Sequence, residues 1–262
     1  MSLKLVVIFN QKIKQVSKSL LGSVIFYTVI PLPIAWANSW QRIARWASLV
    51  GLMIGGILCF VDFLFRSAQF NSLTCSAAVV ASWIFITGGL HLDGAMDAAD
   101  GLAVTIPEKR FEAMSDSSTG AFGAMSAVII IVLKIVALNE NSNNIWWLFL
   151  LAAGWARWGQ TVAIALYPYA KKMGKGAFHK EHMQVFPDLC LSSSLIFFPS
   201  IAILIWANFA WYSIIIFIAG CAILPLIPGY YFFRKLQGQT GDTYGAIVEW
   251  SEVLLLLWMS RF

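Results

Sequence analysis

The sequence predicts an all-α protein, a bundle of about six or seven membrane-spanning helices with a re-entrant N-terminal segment. Three observations carry that prediction. Of 262 residues, 59% are hydrophobic and only 12% are charged, about half the charge of an ordinary soluble domain. The apolar residues are gathered into runs close to the roughly 20 residues that a helix needs to cross a bilayer. Lysine and arginine are confined to alternate connections between those runs, the signature of a fixed membrane orientation. No internal repeat and no soluble stretch interrupts the pattern, so residues 1–262 read as one integral-membrane domain.

Taken in order, Lys4 to Lys18 is a basic amphipathic lead-in suited to a membrane surface. Leu20 to Trp36 is apolar but is broken by Pro31 and Pro33, and is expected to dip into the membrane and return. The small residues of Ala35-Trp36-Ala37 resemble a cleavage site, but the two prolines and the spans that follow argue for retention. Ala44 to Phe65 is a full span with Gly51, Gly55 and Gly56 for close helix contact. Thr74 to Leu90 is the next, followed by a polar loop to about Ser118. Ala121 to Leu138 crosses again, with Lys134 near enough to an end to snorkel. Ile145 to Leu166 carries Arg157 within it. Ser194 to Trp211 and Ser213 to Phe233 form a hairpin of spans, and Ala246 to Met259 closes the chain as a short helix.

The loops near residues 67–73, 139–144 and 207–212 hold no Lys or Arg. Their opposites hold Lys109 and Arg110, then Lys171, Lys172, Lys175 and Lys180, then Arg234 and Lys235. That asymmetry puts the second set in the cytoplasm. The net charge of +5 is spread over short loops, which argues against nucleic acid as a partner. Cys59, Cys75, Cys190 and Cys221 are scattered through apolar context with no Cys-x-x-Cys pair, so neither zinc nor a disulfide framework is expected.

The chemistry concentrates in His91-Leu92-Asp93-Gly94-Ala95-Met96-Asp97-Ala98-Ala99-Asp100-Gly101. On a helix, Asp93, Asp97 and Asp100 fall within about 60° of one another. Like charges at this spacing destabilise a helix, and carboxylates beside hydrocarbon are costly. A divalent cation offsets both. Mg²⁺ is the natural choice, because it takes carboxylate oxygens, substrate phosphates and water. Asp116-Ser117-Ser118-Thr119-Gly120 opens a span and reads either as an ordinary helix start or as a phosphate cradle. Arg157, a charge inside a span, is expected to hold a substrate phosphate or an aspartate, with a structural ion pair as the other reading. Lys171, Lys172 and Lys175 form a basic, glycine-containing loop suited to phosphates. Asp116, Asp242 and His179 are candidate proton acceptors. The acidic run, Asp116, the Lys/His loop and Asp242 all fall on one side of the membrane. That favours an enzyme over a transporter, whose polar features more often line the midplane.

The run Gly88-Gly89-Leu90-His91-Leu92-Asp93-Gly94, with Asp97, Asp100 and Gly101, opens a longer pattern. Met114-Ser115-Asp116-Ser117, Gly120-Ala121-Phe122-Gly123, Arg157-Trp158 and Gly241-Asp242-Thr243 with Gly245, Ala246, Glu249 and Glu252 continue it. In this order, from about residue 20 to 260, the pattern resembles the cobalamin synthase (adenosylcobinamide-GDP ribazoletransferase) family. Where that family usually carries a basic residue after the Asp-Ser of the second motif, Ser118 stands here.

The resemblance implies a single membrane transferase domain in a bacterial inner membrane, with its site facing the cytoplasm. It implies Mg²⁺ on Asp93, Asp97 and Asp100. The substrates would be adenosylcobinamide-GDP and α-ribazole or its 5′-phosphate, with GMP released. A homo-oligomer, or contact with other cobalamin-assembly enzymes, is compatible with it. The alternatives weighed are another membrane transferase using a diphosphate, prenyltransferase-like or CDP-alcohol phosphotransferase-like, and a transporter. Asp93-x-x-x-Asp97 has no second acidic cluster of the prenyltransferase kind, and Asp93-Gly94 is not followed by the Ala-Arg of the phosphotransferases.

Overall fold

The structure is a computed structural model. It describes residues 3–37, 40–139, 146–171, 174 and 176–262, and of residues 3–14 the backbone only. Among the described residues there are helices and connecting turns, with one isolated bridge between Tyr169 and Gln239. The helices are α1 (Leu3–Tyr27), α2 (Ala47–Ser67), α3 (Ser72–Ile86), α4 (Leu90–Ala103), α5 (Arg110–Ala113), α6 (Ala121–Asn139), α7 (Trp146–Leu166), α8 (Ala177–His182), α9 (Val185–Trp206), α10 (Trp211–Ile223), α11 (Leu226–Leu236) and α12 (Gly241–Met259). Short 3₁₀ turns stand before α2 and α5.

α7 is the axis of the bundle. From Trp147 to Ala165 all but Leu150 and Trp158 are buried. α2 lies along it at very short range, because Gly51 and Gly55 present bare backbone to Phe149–Gly154. A Cβ at either glycine would collide with α7 backbone, so the close approach requires them. Gly56, also expected at a helix contact, faces open space. α12 packs against α4, α7, α11 and α6 and is buried along most of its length. Outward faces are apolar: α6 exposes Phe122, Met125, Val128, Ile129, Val132 and Val136, a stripe at helical spacing suited to lipid.

Among the described residues, four segments are long and apolar enough to cross a membrane: Ile43–Ser67, Ala121–Asn139, Val185–Trp206 and Trp211–Leu236. A fifth crossing would have to combine α3 and α4, which are bent 88° apart. The expected count of six or seven took α7 and α12 as crossings. They are not among the four: α7 carries Arg157, Gln160 and Thr161, and α12 carries Asp242, Glu249 and Glu252. Leu20 to Trp36 is not one helix. α1 ends at Tyr27, and the chain then runs irregularly through both prolines to a 3₁₀ turn, Ile34–Ala37. The hairpin of spans starts earlier than expected, at Val185, where buried Asp188 pairs with Arg42 at 2.6 Å.

Lys134 does not snorkel. It is fully buried, donating to Glu249 Oε2 at 2.6 Å and Glu252 Oε2 at 2.5 Å, and its ammonium lies 4.8 Å from the Trp83 ring centre. Arg157 Nη1 donates to the other oxygen of Glu252 at 2.9 Å and to the Ala153 carbonyl. Two cations and two carboxylates therefore tie α6 and α7 to α12 with no net charge. Each buried ion is tolerable only because the others neutralise it.

Removing one member leaves an uncompensated charge. Lys134→Met is expected to cost about 3–5 kcal/mol, read as a lower thermal midpoint of the purified protein in detergent. Adding Glu249→Gln should recover part of the loss; an unchanged midpoint for Lys134→Met would show that the quartet does not hold the helices together.

Candidate active site

The site begins at a turn that only glycine makes easily. Gly88 and Gly89 both have left-handed backbone, with φ of 61° and 69°, and a Cβ on Gly88 would meet Val29 at 2.9 Å. The turn ends α3 and sends α4 off at 88°, so α4 runs across the direction of α3 and is not read as a span. The expected helix is formed, and it carries Asp93, Asp97 and Asp100.

Opposite stands the start of α12. Thr240 and Thr243 close a reciprocal cap, with Thr243 N–H donating to Thr240 Oγ1 at 3.1 Å and Thr240 N–H to Thr243 Oγ1 at 2.7 Å. This fixes Asp242 in the first helical turn. α4 and α12 then meet backbone to backbone. A Cβ on Gly94 would lie 2.6 Å from the Asp242 carbonyl oxygen, and one on Gly245 would lie 2.9 Å from that of His91.

Between the two helices is a cavity of about 630 Å³. Its open part is lined by Asp93, Asp97, Asp116, Asp242 and Lys171; its inner part by Tyr27, His91, Gln160, His179 and Tyr244. Lys171 Nζ stands 3.3 Å from Asp242 Oδ2. The Asp97 carboxyl is pushed up to about 6, by partial burial first and then by the charges of Asp93, Asp242 and Asp100, with Lys171 opposing. A carboxylate so disfavoured is a ready oxygen donor to a cation.

Asp100 is placed differently. Its two oxygens accept from Gly120 N–H and Gly123 N–H, both at 2.8 Å, so it caps α6. A Cβ on either glycine would strike that carboxylate. Asp100 is not in the cavity wall, and the expected metal trio Asp93, Asp97 and Asp100 is not assembled. The helix start that reads either as an ordinary cap or as a phosphate cradle is filled by the chain's own carboxylate. Among the described residues, no three His, Cys, Asp or Glu side chains are gathered to hold a metal ion by themselves. Asp93 and Asp97 nevertheless suit Mg²⁺, which commonly takes one or two carboxylates and completes its shell from substrate phosphate and water.

The remaining residues separate clearly. Arg157 is tied to Glu252 and does not reach the cavity wall, because α7 presents it to α12 inside the bundle. Lys171 lines the cavity; Lys172 and Lys175 lie outside the described residues. Lys180 donates to the Ile164 and Ala165 carbonyls at the end of α7. Asp116 is at the mouth, accepting from Ser118 N–H, a bond that holds its carboxyl below the usual range. His179 is buried, and burial pushes its imidazole down to about 3, so it is uncharged at neutral pH. Tyr27, Gln160 and Tyr244 went unnoticed in the sequence. Tyr244 sits inside the Gly241-Asp242-Thr243 motif, but nothing local marks Tyr27 or Gln160.

The sequence model of the family described as "Cobalamin-5-phosphate synthase" matches residues 19–260. The chain is 49% identical over 247 residues, 93% of its length and 97% of the relative's, to a Trichormus variabilis protein named adenosylcobinamide-GDP ribazoletransferase. A Synechocystis protein of the same name is 43% identical, over 91% of this chain and 93% of the relative. A Thermosynechococcus vestitus protein of that name is 41% identical over 90% and 93%. No solved structure matches the chain. With its acidic helix, its paired glycine turn and its α12 motif all inside the matched region, the chain belongs to the cobalamin-5-phosphate synthase family.

Proposed function

We propose that this membrane protein transfers the adenosylcobinamide phosphate group of adenosylcobinamide-GDP to α-ribazole or its 5′-phosphate. A ribose hydroxyl attacks the phosphorus beside cobinamide, the phosphorus–oxygen bond to GMP breaks, and the hydroxyl proton passes to the protein. The observation that carries this reading is the cavity between α4 and α12, with carboxylates from both helices facing one lysine. Relatives named for this reaction cover nearly the whole chain.

Asp93 and Asp97 would hold Mg²⁺, which when bound neutralises diphosphate charge and stabilises the leaving oxygen. Lys171 supplies a further positive charge to the phosphates. Asp242 is the candidate that takes the proton. It stands at the α4–α12 contact beside Asp93 and Asp97, with Lys171 and Thr240 on its Oδ2, whereas Asp116 lines the mouth and His179 is a weak base on the buried wall. Arg157 acts at a distance, holding Glu252 and with it α12. A cytoplasmic site in the bacterial inner membrane is part of this reading, supported by the lysines and arginines of the loops on the cavity side. The corrinoid would sit at the mouth, where the cavity is open. A shared membrane plane favours contact with other cobalamin-assembly enzymes or a second copy.

Purified protein given Mg²⁺, adenosylcobinamide-GDP and α-ribazole should release GMP, and EDTA should stop it; a folded preparation releasing none overturns the reading. Asp97→Asn should lower turnover at least about 100-fold and raise the Mg²⁺ requirement. Asp100→Asn should cost about 1 kcal/mol of stability by weakening the α6 cap while leaving the Mg²⁺ requirement unchanged. A shifted Mg²⁺ requirement in the second variant would return Asp100 to the metal. Arg157→Ala should lower the thermal midpoint and leave the KM of both substrates within about twofold in whatever fraction folds; a selective rise for the GDP-bearing substrate would make it a phosphate ligand.

A further inference from the structure

The inner wall of the cavity is built from five elements that each contribute one polar ring or amide: Tyr27 from α1, His91 from α4, Gln160 from α7, His179 from α8 and Tyr244 from α12. None is more than 4% exposed. Their polar atoms go unanswered. Among the described residues, Tyr27 Oη, both His91 ring nitrogens, Gln160 Oε1, His179 Nδ1 and Tyr244 Oη have no hydrogen-bond partner. A buried polar group without a partner is costly, and such groups are rare in native interiors. Six around one cavity is a wall that lacks its complement.

The chemistry of that complement can be read from the wall. The Tyr27 ring lies nearly parallel to His91 and to His179, at 18° and 13° with centroids 6.0 Å apart, and Phe26 meets His179 edge-on at 4.9 Å. The wall carries no formal charge: burial keeps His179 neutral, and the aspartates and Lys171 belong to the open part. An uncharged, flat, polar-edged molecule fits. It must offer donors, because the Gln160 amide oxygen can only accept, and acceptors, because the two hydroxyls can donate.

On the reading given under the proposed function, two heterocycles are available. The benzimidazole of α-ribazole, once joined to ribose, offers one ring-nitrogen acceptor, two methyl groups and no donor. Guanine offers N–H donors and a carbonyl acceptor along one edge. In-line displacement also requires the attacking ribose and the departing nucleotide on opposite sides of phosphorus. A nucleotide seated on the inner wall leaves the open side to α-ribazole and the corrinoid. We infer that Tyr27, His91, Gln160, His179 and Tyr244 form the seat for the guanine base of the GDP half, and that Gln160 accepts a hydrogen bond from its N–H edge.

The test compares GMP with IMP, which lacks the 2-amino donor, by equilibrium binding with Mg²⁺ to the full-length protein in detergent. Wild type should bind GMP at least about tenfold more tightly. Gln160→Met should bring the ratio close to one and raise the KM for adenosylcobinamide-GDP about tenfold, with the KM for α-ribazole unchanged. Should Gln160→Met fail to fold, Tyr27→Phe removes one hydroxyl only and should weaken GMP about fivefold without affecting α-ribazole. Equal binding of GMP and IMP by wild type overturns the seat, as does a KM effect confined to α-ribazole. A wild-type protein that releases no GMP in the transfer assay fails the transferase reading instead, and one that releases GMP without discriminating the bases fails only this inference.

Discussion

Gly94 and Gly245 let α4 and α12 approach until backbone meets backbone, and the rest of the site depends on that contact. Without it the carboxylates of Asp93 and Asp97 on one helix and Asp242 on the other would not share a cavity. The approach has an electrostatic cost, because it brings like charges together, opposed among the described residues by Lys171. The raised carboxyl of Asp97 is the local expression of that cost. Helix packing of this closeness, maintained against repulsion, makes sense where a cation and a diphosphate complete the charge balance.

What holds α12 in place is the other charged cluster, deeper in the bundle. Lys134, Arg157, Glu249 and Glu252 neutralise one another completely. The two clusters have opposite designs. The inner one is buried and balanced in charge, so it serves geometry, although Arg157 Nε and Nη2 find no partner among the described residues. The outer one is open, with Lys171 its cation among the described residues, and it suits the chemistry proposed for it. Asp100 belongs to the first kind although its sequence neighbours belong to the second, since both its oxygens are spent on the start of α6.

The sequence made the membrane-embedded helical class legible, because composition and run length are global signals that survive errors of detail. It also made α4 legible, since three aspartates at helical spacing next to Gly88-Gly89 mark a helix and a turn. It did not reveal which way each aspartate would face a neighbouring element. Asp100 differs from Asp93 and Asp97 by about 60° at most around α4, and that angle separates a helix cap from a cavity wall. Lys134 was read as a snorkelling cation, and Arg157 was left between a phosphate, an aspartate and a structural ion pair, because their partners, Glu249 and Glu252, lie about a hundred residues further along the chain. α7 and α12 fall outside the four most apolar segments, and burial inside the bundle accommodates the polar and charged residues they carry. Tyr27, Gln160 and Tyr244 were invisible because their meaning comes from convergence, and convergence has no local signature.

The central claim is that Asp93 and Asp97 hold a divalent cation at the cavity mouth together with substrate phosphate. Electron paramagnetic resonance of Mn²⁺, added in place of Mg²⁺ to the purified protein with GMP, tests it directly. The account predicts a bound Mn²⁺ signal with coupling to phosphorus, lost in the Asp93→Asn/Asp97→Asn double variant and kept in Asp100→Asn. Equal Mn²⁺ binding by the wild type and the double variant would contradict it.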